Sequence, residues 1–280
     1  MRTLHMANPI FITSSPMGGE LIDSLDARLK VYFIVDNYAE MPHWYGSYVR
    51  ELEDRLLEQA DLVFVTSQPL AEQKSRPGRP AILLPQGVDF AHFHAGGMEP
   101  PDLAAIPRPR MLFMGLLAPW VDVELLASVA RERPDASLVV LGPVRAATEP
   151  LRGLPNVYLL GQRSYEELPA YLAHCDLGLI PFRQNALTRY VNPLKLLEYL
   201  AAGLPVVSTA LPHLAMFQGA IRCAASAEEF VAQVGCALSG ISLAEREHTV
   251  RVARENSWER RAELFSAAVE QALRPEPVTA

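Results

Sequence analysis

Two charged residues stand out in an otherwise apolar stretch, Asn192-Pro193-Leu194-Lys195-Leu196-Leu197-Glu198-Tyr199-Leu200-Ala201-Ala202-Gly203-Leu204-Pro205-Val206-Val207-Ser208-Thr209. Asn192 is placed to cap a helix, Pro193 suits its first position, and Gly203 followed by Pro205 stops it. A helix with so little polar surface is covered by protein, so the charges of Lys195 and Glu198 need a partner or a ligand. A helix N-terminus offers unpaired N–H groups and the positive end of the macrodipole, a seat for a diphosphate, and Lys195 adds a full positive charge in the first turn. Glu198, about one turn further in, could accept hydrogen bonds from two neighbouring ribose hydroxyls. Phosphate with ribose means a nucleotide. The same residues, at i and i+3, could equally form a helix-surface pair worth about 0.2–0.5 kcal/mol, and the stretch alone leaves both readings open.

The elements that must hold this helix are legible from strand-like runs alternating with helical ones. In the first half the strands are expected at Pro9–Ser14, Lys30–Asp36, Asp61–Ser67 and Pro80–Pro85, with the clearest helix at Trp44–Gln59. In the second half they are expected at Met111–Gly115, Ser137–Gly142, Val157–Gly161, Asp176–Pro181, Pro205–Ser208 and Ile221–Ala224. Helices fill Val121–Arg133, Glu166–His174, Pro193–Ala202, Ala227–Leu238, Ser242–Glu255 and Trp258–Leu273. Such alternation predicts an α/β protein with parallel sheets, whose ligands sit at the carboxyl ends of strands. Asp36, with Asn37 beside it, lies at one such end and is a candidate catalytic carboxylate of the first domain, or a plain turn residue. Four strands of the second half end in Gly115, Gly142, Gly161 and Pro181. Glycine at such a place lets backbone approach a ligand, or merely makes a tight turn.

From Gly96 to Pro109 the chain is rich in Gly and Pro without periodicity, which reads as a linker. The expected organisation is therefore a first domain over 1–95, a linker over 96–109, a nucleotide-binding domain over 110–255, and a terminal helix and tail over 256–280. A chain of 280 residues, half of them apolar, can bury two modest cores. The net charge of -7 argues against non-specific nucleic-acid binding. Cys175, Cys223 and Cys236 are odd in number and lack metal-ligand spacing, as buried thiols of a reducing compartment do. The opening Met1-Arg2-Thr3-Leu4-His5-Met6 has no signal-peptide core, so a cytoplasmic setting is the expectation. The G-x-G-x-x-G of dinucleotide enzymes, the G-x-x-x-x-G-K-[ST] of NTPases and the Asp-x-Asp of metal-dependent sugar transferases do not occur.

Several segments carry a resemblance. Leu84-Pro85-Gln86-Gly87-Val88-Asp89, Asn156-Val157-Tyr158-Leu159-Leu160-Gly161, Glu167-Leu168-Pro169-Ala170-Tyr171-Leu172, Asp176–Phe182 and Asn192–Thr209 come in the order seen in group 1 (family 4) glycosyltransferases of GT-B fold. The chain resembles in particular the bacterial cell-surface polysaccharide and teichuronic-acid branch, whose members read much like Asn-Pro-x-Lys-x-x-Glu-Tyr-Leu-Ala-x-Gly. The resemblance runs from about Pro9 to Phe265. It implies two Rossmann-like domains and transfer of a sugar from a nucleoside diphosphate sugar, of UDP or GDP type, to a glycan or lipid-linked acceptor in envelope or exopolysaccharide synthesis. It further implies retaining chemistry without metal or other cofactor, and a protein that touches the inner face of the membrane peripherally.

Carried over residue by residue, the resemblance puts Glu198 on the donor ribose, as the second glutamate of the family's E-x7-E motif. The loop Val191-Asn192-Pro193-Leu194 offers backbone groups to the donor sugar and diphosphate. Arg163 falls where the family holds the base, unless it simply pairs with Glu166 or Glu167, and Gly115 falls where the diphosphate passes the backbone. Lys195 is the cation expected to act on the departing diphosphate. The chain departs from the pattern at Tyr190, which replaces the first motif glutamate, and in the Gly115–Glu124 loop, which lacks Arg and Lys, leaving Lys195, Arg183 or Arg189 to substitute. Trp120 and Asp122 in that loop fit the branch. The N-terminal domain is expected to be incomplete, through a late start, a fragment or a rearranged half, exposing a sheet edge that a partner or another segment would cover. The rivals are a non-catalytic nucleotide-sugar-binding or scaffold protein of the same fold and, further off, an epimerase or phosphorylase.

Overall fold

The computed structural model describes residues 8–38 and 46–274. The opening segment, the first two residues of the helix expected from Trp44, and the tail from Pro275 lie outside them. The first third holds strands β1 (Ile10–Thr13) and β2 (Leu29–Ile34), helix α1 (Gly46–Gln59), β3 (Leu62–Val65), α2 (Gln68–Lys74) and β4 (Ile82–Leu83). Next come α3 (Phe90–His94), α4 (Pro101–Ala104), β5 (Arg110–Met114), α5 (Val123–Glu132), β6 (Ser137–Leu141), β7 (Val157–Gly161), α6 (Leu168–Ala173) and β8 (Leu177–Ile180). The last third holds α7 (Leu194–Ala201), β9 (Val206–Thr209), β10 (Arg222–Ala224), α8 (Ala227–Leu238), α9 (Leu243–Glu255) and α10 (Trp258–Ala272). The chain forms two units. One comprises the sequence up to Gln86, the short piece Arg189–Asn192 and the helix from Glu259 onward; the other comprises Gly87–Thr188 and Pro193–Trp258.

The first unit is a four-stranded parallel sheet in the order β1-β2-β3-β4. Alternation along β2 sends side chains to both faces. Tyr32 and Ile34 join Leu56, Val65 and Leu70 in one core cluster, while Leu29 and Val31 join Phe64 in another, against which Phe265 and Val269 of α10 pack. The Phe64 and Phe265 rings lie 4.9 Å apart. Among the described residues β1 pairs with β2 alone and Ile10 and Ile12 are 41% and 51% exposed.

The second unit is a six-stranded parallel sheet in the order β10-β9-β8-β5-β6-β7. Counted from β5, this is the order of a doubly wound sheet, in which strands run outward in opposite directions from a central pair. That pair is β5 and β8, hydrogen-bonded in parallel. Their carboxyl ends, at Gly115 and Pro181, flank the crevice where such sheets take ligands.

The stretch expected to be a linker is folded onto this second unit. Leu103 and Ile106 are buried there, and the buried Arg110 guanidinium donates to Glu99 at 2.5 Å and to the Ile106 and His174 carbonyls. Its lack of periodicity reflects anchoring by single side chains in place of a repeating face. Among the described residues no helix is long and apolar enough to cross a membrane.

Candidate functional site

Helix α7 is pinned to the switch-point strands by Tyr199. Its hydroxyl accepts from the Met114 N–H at 2.8 Å and donates to the Leu112 carbonyl at 3.3 Å, both on β5. Its ring lies against β8 at Gly178, where any side chain would collide with it at 2.6 Å. Lys195, four residues earlier, shares that face and so leans over the same strand ends. The helix stops as expected: Gly203, at φ +74, donates to Leu200, and Leu204 donates to Tyr199, the paired bonds of a Schellman stop. Its start differs. Pro193, not Asn192, occupies the cap position and no side chain caps the helix. The Asn192 amide instead reaches the Thr66 carbonyl at 3.4 Å, within the first unit, because a buried amide takes whichever acceptor lies nearest. The first N–H groups of α7 are thus left without a side-chain acceptor, and Leu194, the first helical residue, is 41% exposed.

The Lys195 ammonium stands 4.4 Å from the centre of the Phe113 ring and 4.9 Å from that of Phe182. Phe113 precedes Gly115 on β5 and Phe182 follows β8, so the cation sits at the switch point itself. A Cβ on Gly115 would come within 3.0 Å of its Nζ. Burial between the rings pushes the ammonium down to about 8, opposed by the charge of Glu198. Burial likewise pushes the Glu198 carboxyl up to about 7, opposed by Lys195 and His92. No ion pair joins Lys195 and Glu198, and neither makes a side-chain hydrogen bond among the described residues. The surface-pair alternative is therefore not what the chain forms. A cation held over two aromatic rings and an acid one turn further on are thus half-buried side by side, each with its pKa displaced by burial.

Around them the crests of three strands lock together. Gly115 donates to Leu141 at the end of β6, and Gly142 donates to Gly161 at the end of β7, each at 2.8 Å. Gly115, Gly142 and Gly161 have φ of +119, +141 and +73. A Cβ on Gly142 would fall 2.2 Å from the Gly115 carbonyl oxygen. Gly142→Ala is accordingly expected to cost about 3 kcal/mol or more in urea unfolding, at the upper end of ordinary substitutions. Gly153→Ala, also at positive φ (+76) but facing open space, isolates the backbone cost of about 1 kcal/mol.

Arg163 follows the Gly161 turn as expected, but its guanidinium goes elsewhere. It pairs with Asp102 of α4 at 2.5 Å and donates to the Tyr171 hydroxyl at 2.7 Å and the Leu160 carbonyl at 2.6 Å. Glu167 accepts from the Ser164 N–H in a capping box, so the surface partners expected for Arg163 do not take it. Arg183 pairs with Asp122 at 3.5 Å, and Asp122 caps α5. Arg189 belongs to the first unit, as does Tyr190, which packs against the Tyr32 core cluster and thereby explains an aromatic where the motif has an acid. Of the three cations the sequence offered, Lys195 is the one found at the switch-point strands, between Phe113 and Phe182. Asp36 lies in the first unit just past β2, accepting the Asn37 N–H at 2.9 Å; burial raises its carboxyl above the ordinary carboxylate range.

The sequence reading missed the groups beside Glu198. Tyr165 stacks on His92 of α3 with ring centres 4.2 Å apart, and the His92 Nε2 lies 2.9 Å from the Tyr165 carbonyl oxygen. The charge of Glu198 is among the causes raising Tyr165, after burial and Asp89. No local spacing announces this neighbourhood, because α3 and the loop after β7 are 73 residues apart. Among the described residues no group of three or more His, Cys, Asp or Glu gathers as metal ligands.

Residues 108–239 match the family of Glycosyl transferases group 1. A curated relative is the Bacillus subtilis protein TuaH, named for a provisional role as a teichuronic acid biosynthesis glycosyltransferase. It is 30% identical over 180 residues, 61% of this chain and 45% of TuaH. The match therefore spans less than half of that relative's length. Among solved structures, Anabaena HepE in complex with UDP superposes with a TM-score of 0.74 at 16% identity, over 94% of this chain and 79% of that one. A sucrose-phosphate synthase from Thermosynechococcus elongatus gives 0.73 at 18% identity, over 94% and 73%. These likenesses show the GT-B fold, with two Rossmann-like parallel sheets. The segment that matches the group 1 glycosyltransferase family, residues 108–239, is the one that carries the crevice, α7 and the glycine crests.

Proposed function

We propose that the protein is a metal-independent, retaining glycosyltransferase that moves a sugar from a UDP or GDP sugar to a glycan or lipid-linked acceptor in cell-envelope or exopolysaccharide synthesis. One observation carries the reading: an unpaired Lys195 at the switch point, beside a side-chain-free crest at Gly115 and one turn from an unpaired Glu198. The diphosphate lies along the Gly115 crest and the uncapped start of α7, from Pro193 to Leu194. Lys195 and the helix N–H groups meet the charge that grows on it as the glycosidic bond breaks. Glu198 accepts from the ribose hydroxyls and fixes the donor's orientation. The backbone after Gly161, at Arg163, faces the base, its side chain being engaged by Asp102. Asp36, made more basic by burial, is the first unit's candidate for receiving the acceptor's proton. HepE, crystallised with UDP and UDP-glucose, supports a uridine donor. The TuaH relationship supports a polysaccharide setting.

Donor hydrolysis tests the reading. Incubated with UDP-glucose or a GDP sugar, the protein is expected to release free nucleotide slowly and at the same rate in EDTA. Nucleotide binding without any release would make it a binding protein of the same fold. A rate abolished by EDTA would overturn the metal-independent assignment, since Lys195 and α7 would then not suffice for the leaving charge.

A further inference from the structure

The first unit contains a cavity of about 330 Å³, lined by α1, the end of α2 and Asn37. Its walls are polar well beyond what packing requires. Glu53 and Lys74, 3% and 7% exposed, pair there at 2.7 Å, and the Tyr32 hydroxyl donates to the second Glu53 oxygen at 3.3 Å. A buried ion pair of this kind gives a fold no more stability than apolar residues of the same size would. Beside it Arg76 pairs with Asp54 at 3.4 Å, and Gln73 is exposed on the same wall. Asn37 is the most telling member. It is 2% exposed and lines the cavity, yet its carboxamide makes no hydrogen bond among the described residues. Its amide atoms are not sealed from the cavity, so they stand open to a ligand there without a bond to the protein to be broken first.

We propose that this cavity binds one saccharide residue. A sugar hydroxyl donates and accepts at once, and the walls offer both functions at close quarters: Glu53 and Asp54 accept, Lys74, Arg76 and Gln73 donate, and Asn37 does both. The volume lies at the lower end of small-molecule sites. Among the described lining residues three cations, Arg50 included, stand with two acids, and Lys74 and Arg76 are already paired with Glu53 and Asp54, a balance that suits a neutral sugar or a uronate over a phosphate dianion. Identifying the saccharide as part of the acceptor rests on the transferase reading above. The binding itself does not.

The test uses the full chain without nucleotide. Saturation-transfer NMR and thermal shift are run with glucose, galactose, N-acetylglucosamine, glucuronate and inorganic phosphate as separate probes. At least one sugar is expected to bind, and Asn37→Ala and Gln73→Ala are each expected to weaken it about tenfold, the effect of one hydrogen bond. Because the Asn37 amide bonds to nothing in the protein, its removal is expected to leave the melting temperature level or higher, which a structural role would not allow. No sugar binding, binding that both variants leave intact, or binding of phosphate alone would overturn the proposal. A parallel UDP titration keeps the two readings apart. Sugar binding lost in the variants with UDP affinity unchanged supports the cavity, whereas UDP failing on the parent protein rejects the transferase reading while leaving the sugar result to stand.

Discussion

Lys195→Met is expected to lower sugar transfer by about 10²–10³-fold, the usual cost of losing a preorganised group that meets developing charge, while the melting temperature stays level or rises. The two effects point in opposite directions because the residue's surroundings suit a thioether better than an ammonium. Methionine keeps the length of the chain and packs well against aromatic rings such as Phe113 and Phe182. It also removes a charge that burial already holds down to about 8. Transfer or donor hydrolysis, measured beside a thermal melt, checks this. If activity and melting temperature fall together, the lysine is a packing residue; if neither moves, the diphosphate lies elsewhere.

Glu198→Ala is expected to weaken UDP-glucose binding by about 10- to 100-fold at pH 7.5, the range for hydrogen bonds to a charged acceptor, with the fold intact. The pH dependence follows from the same pair. Glu198 must be ionised to accept from ribose, so affinity rises as pH climbs through about 7. Lys195 must be charged to meet the diphosphate, so affinity declines as pH passes about 8. The diphosphate of UDP-glucose carries no monoester group titrating near pH 6, so the bell belongs to the protein. Stability runs the other way. The raised Glu198 value favours the fold in acid, a contribution lost as pH climbs from the ordinary carboxylate value to about 7. The lowered Lys195 value favours it in alkali, a contribution lost as pH falls from the ordinary lysine value to about 8. Between the two, this pair costs the ligand-free protein most where it binds best, and the alanine variant should melt higher there. Isothermal titration with UDP-glucose and GDP-mannose across pH 6–9 measures it. An unchanged affinity in the variant with both donors would remove Glu198 from the site.

Most of the fold was legible because parallel strands buried on both faces read as short apolar runs. The expected bounds of β7 and α8 coincide with those found, and the other elements that were given bounds shift by a few residues, while α2 was given none. The short helices α3 and α4 were not, since four or five residues carry no periodicity. The stretch 96–109 looked like a linker for the same reason, its attachment resting on Arg110, Asp102 and two apolar side chains whose partners lie far along the chain. In the site, spacing announced Lys195 and Glu198 because charge on an apolar helix is conspicuous. It could not announce Phe113, Phe182, His92 or Tyr165, nor that Asp102 takes the Arg163 guanidinium. Those are choices of tertiary contact. Asn192 shows the limit from the other side: a sound capping signal yielded to a carbonyl, Thr66, supplied by a residue 126 positions away.

The interlocked crests at Gly115, Gly142 and Gly161 bear on how far the donor preference of this scaffold can be retuned. Because Gly142 has no room for even one carbon beside Gly115, libraries that randomise these turns would mostly yield misfolded chains. Diversity is better spent on positions such as Tyr165, whose ring stacks on His92 and whose hydroxyl feels the Glu198 charge, because changes there leave the sheet unremade.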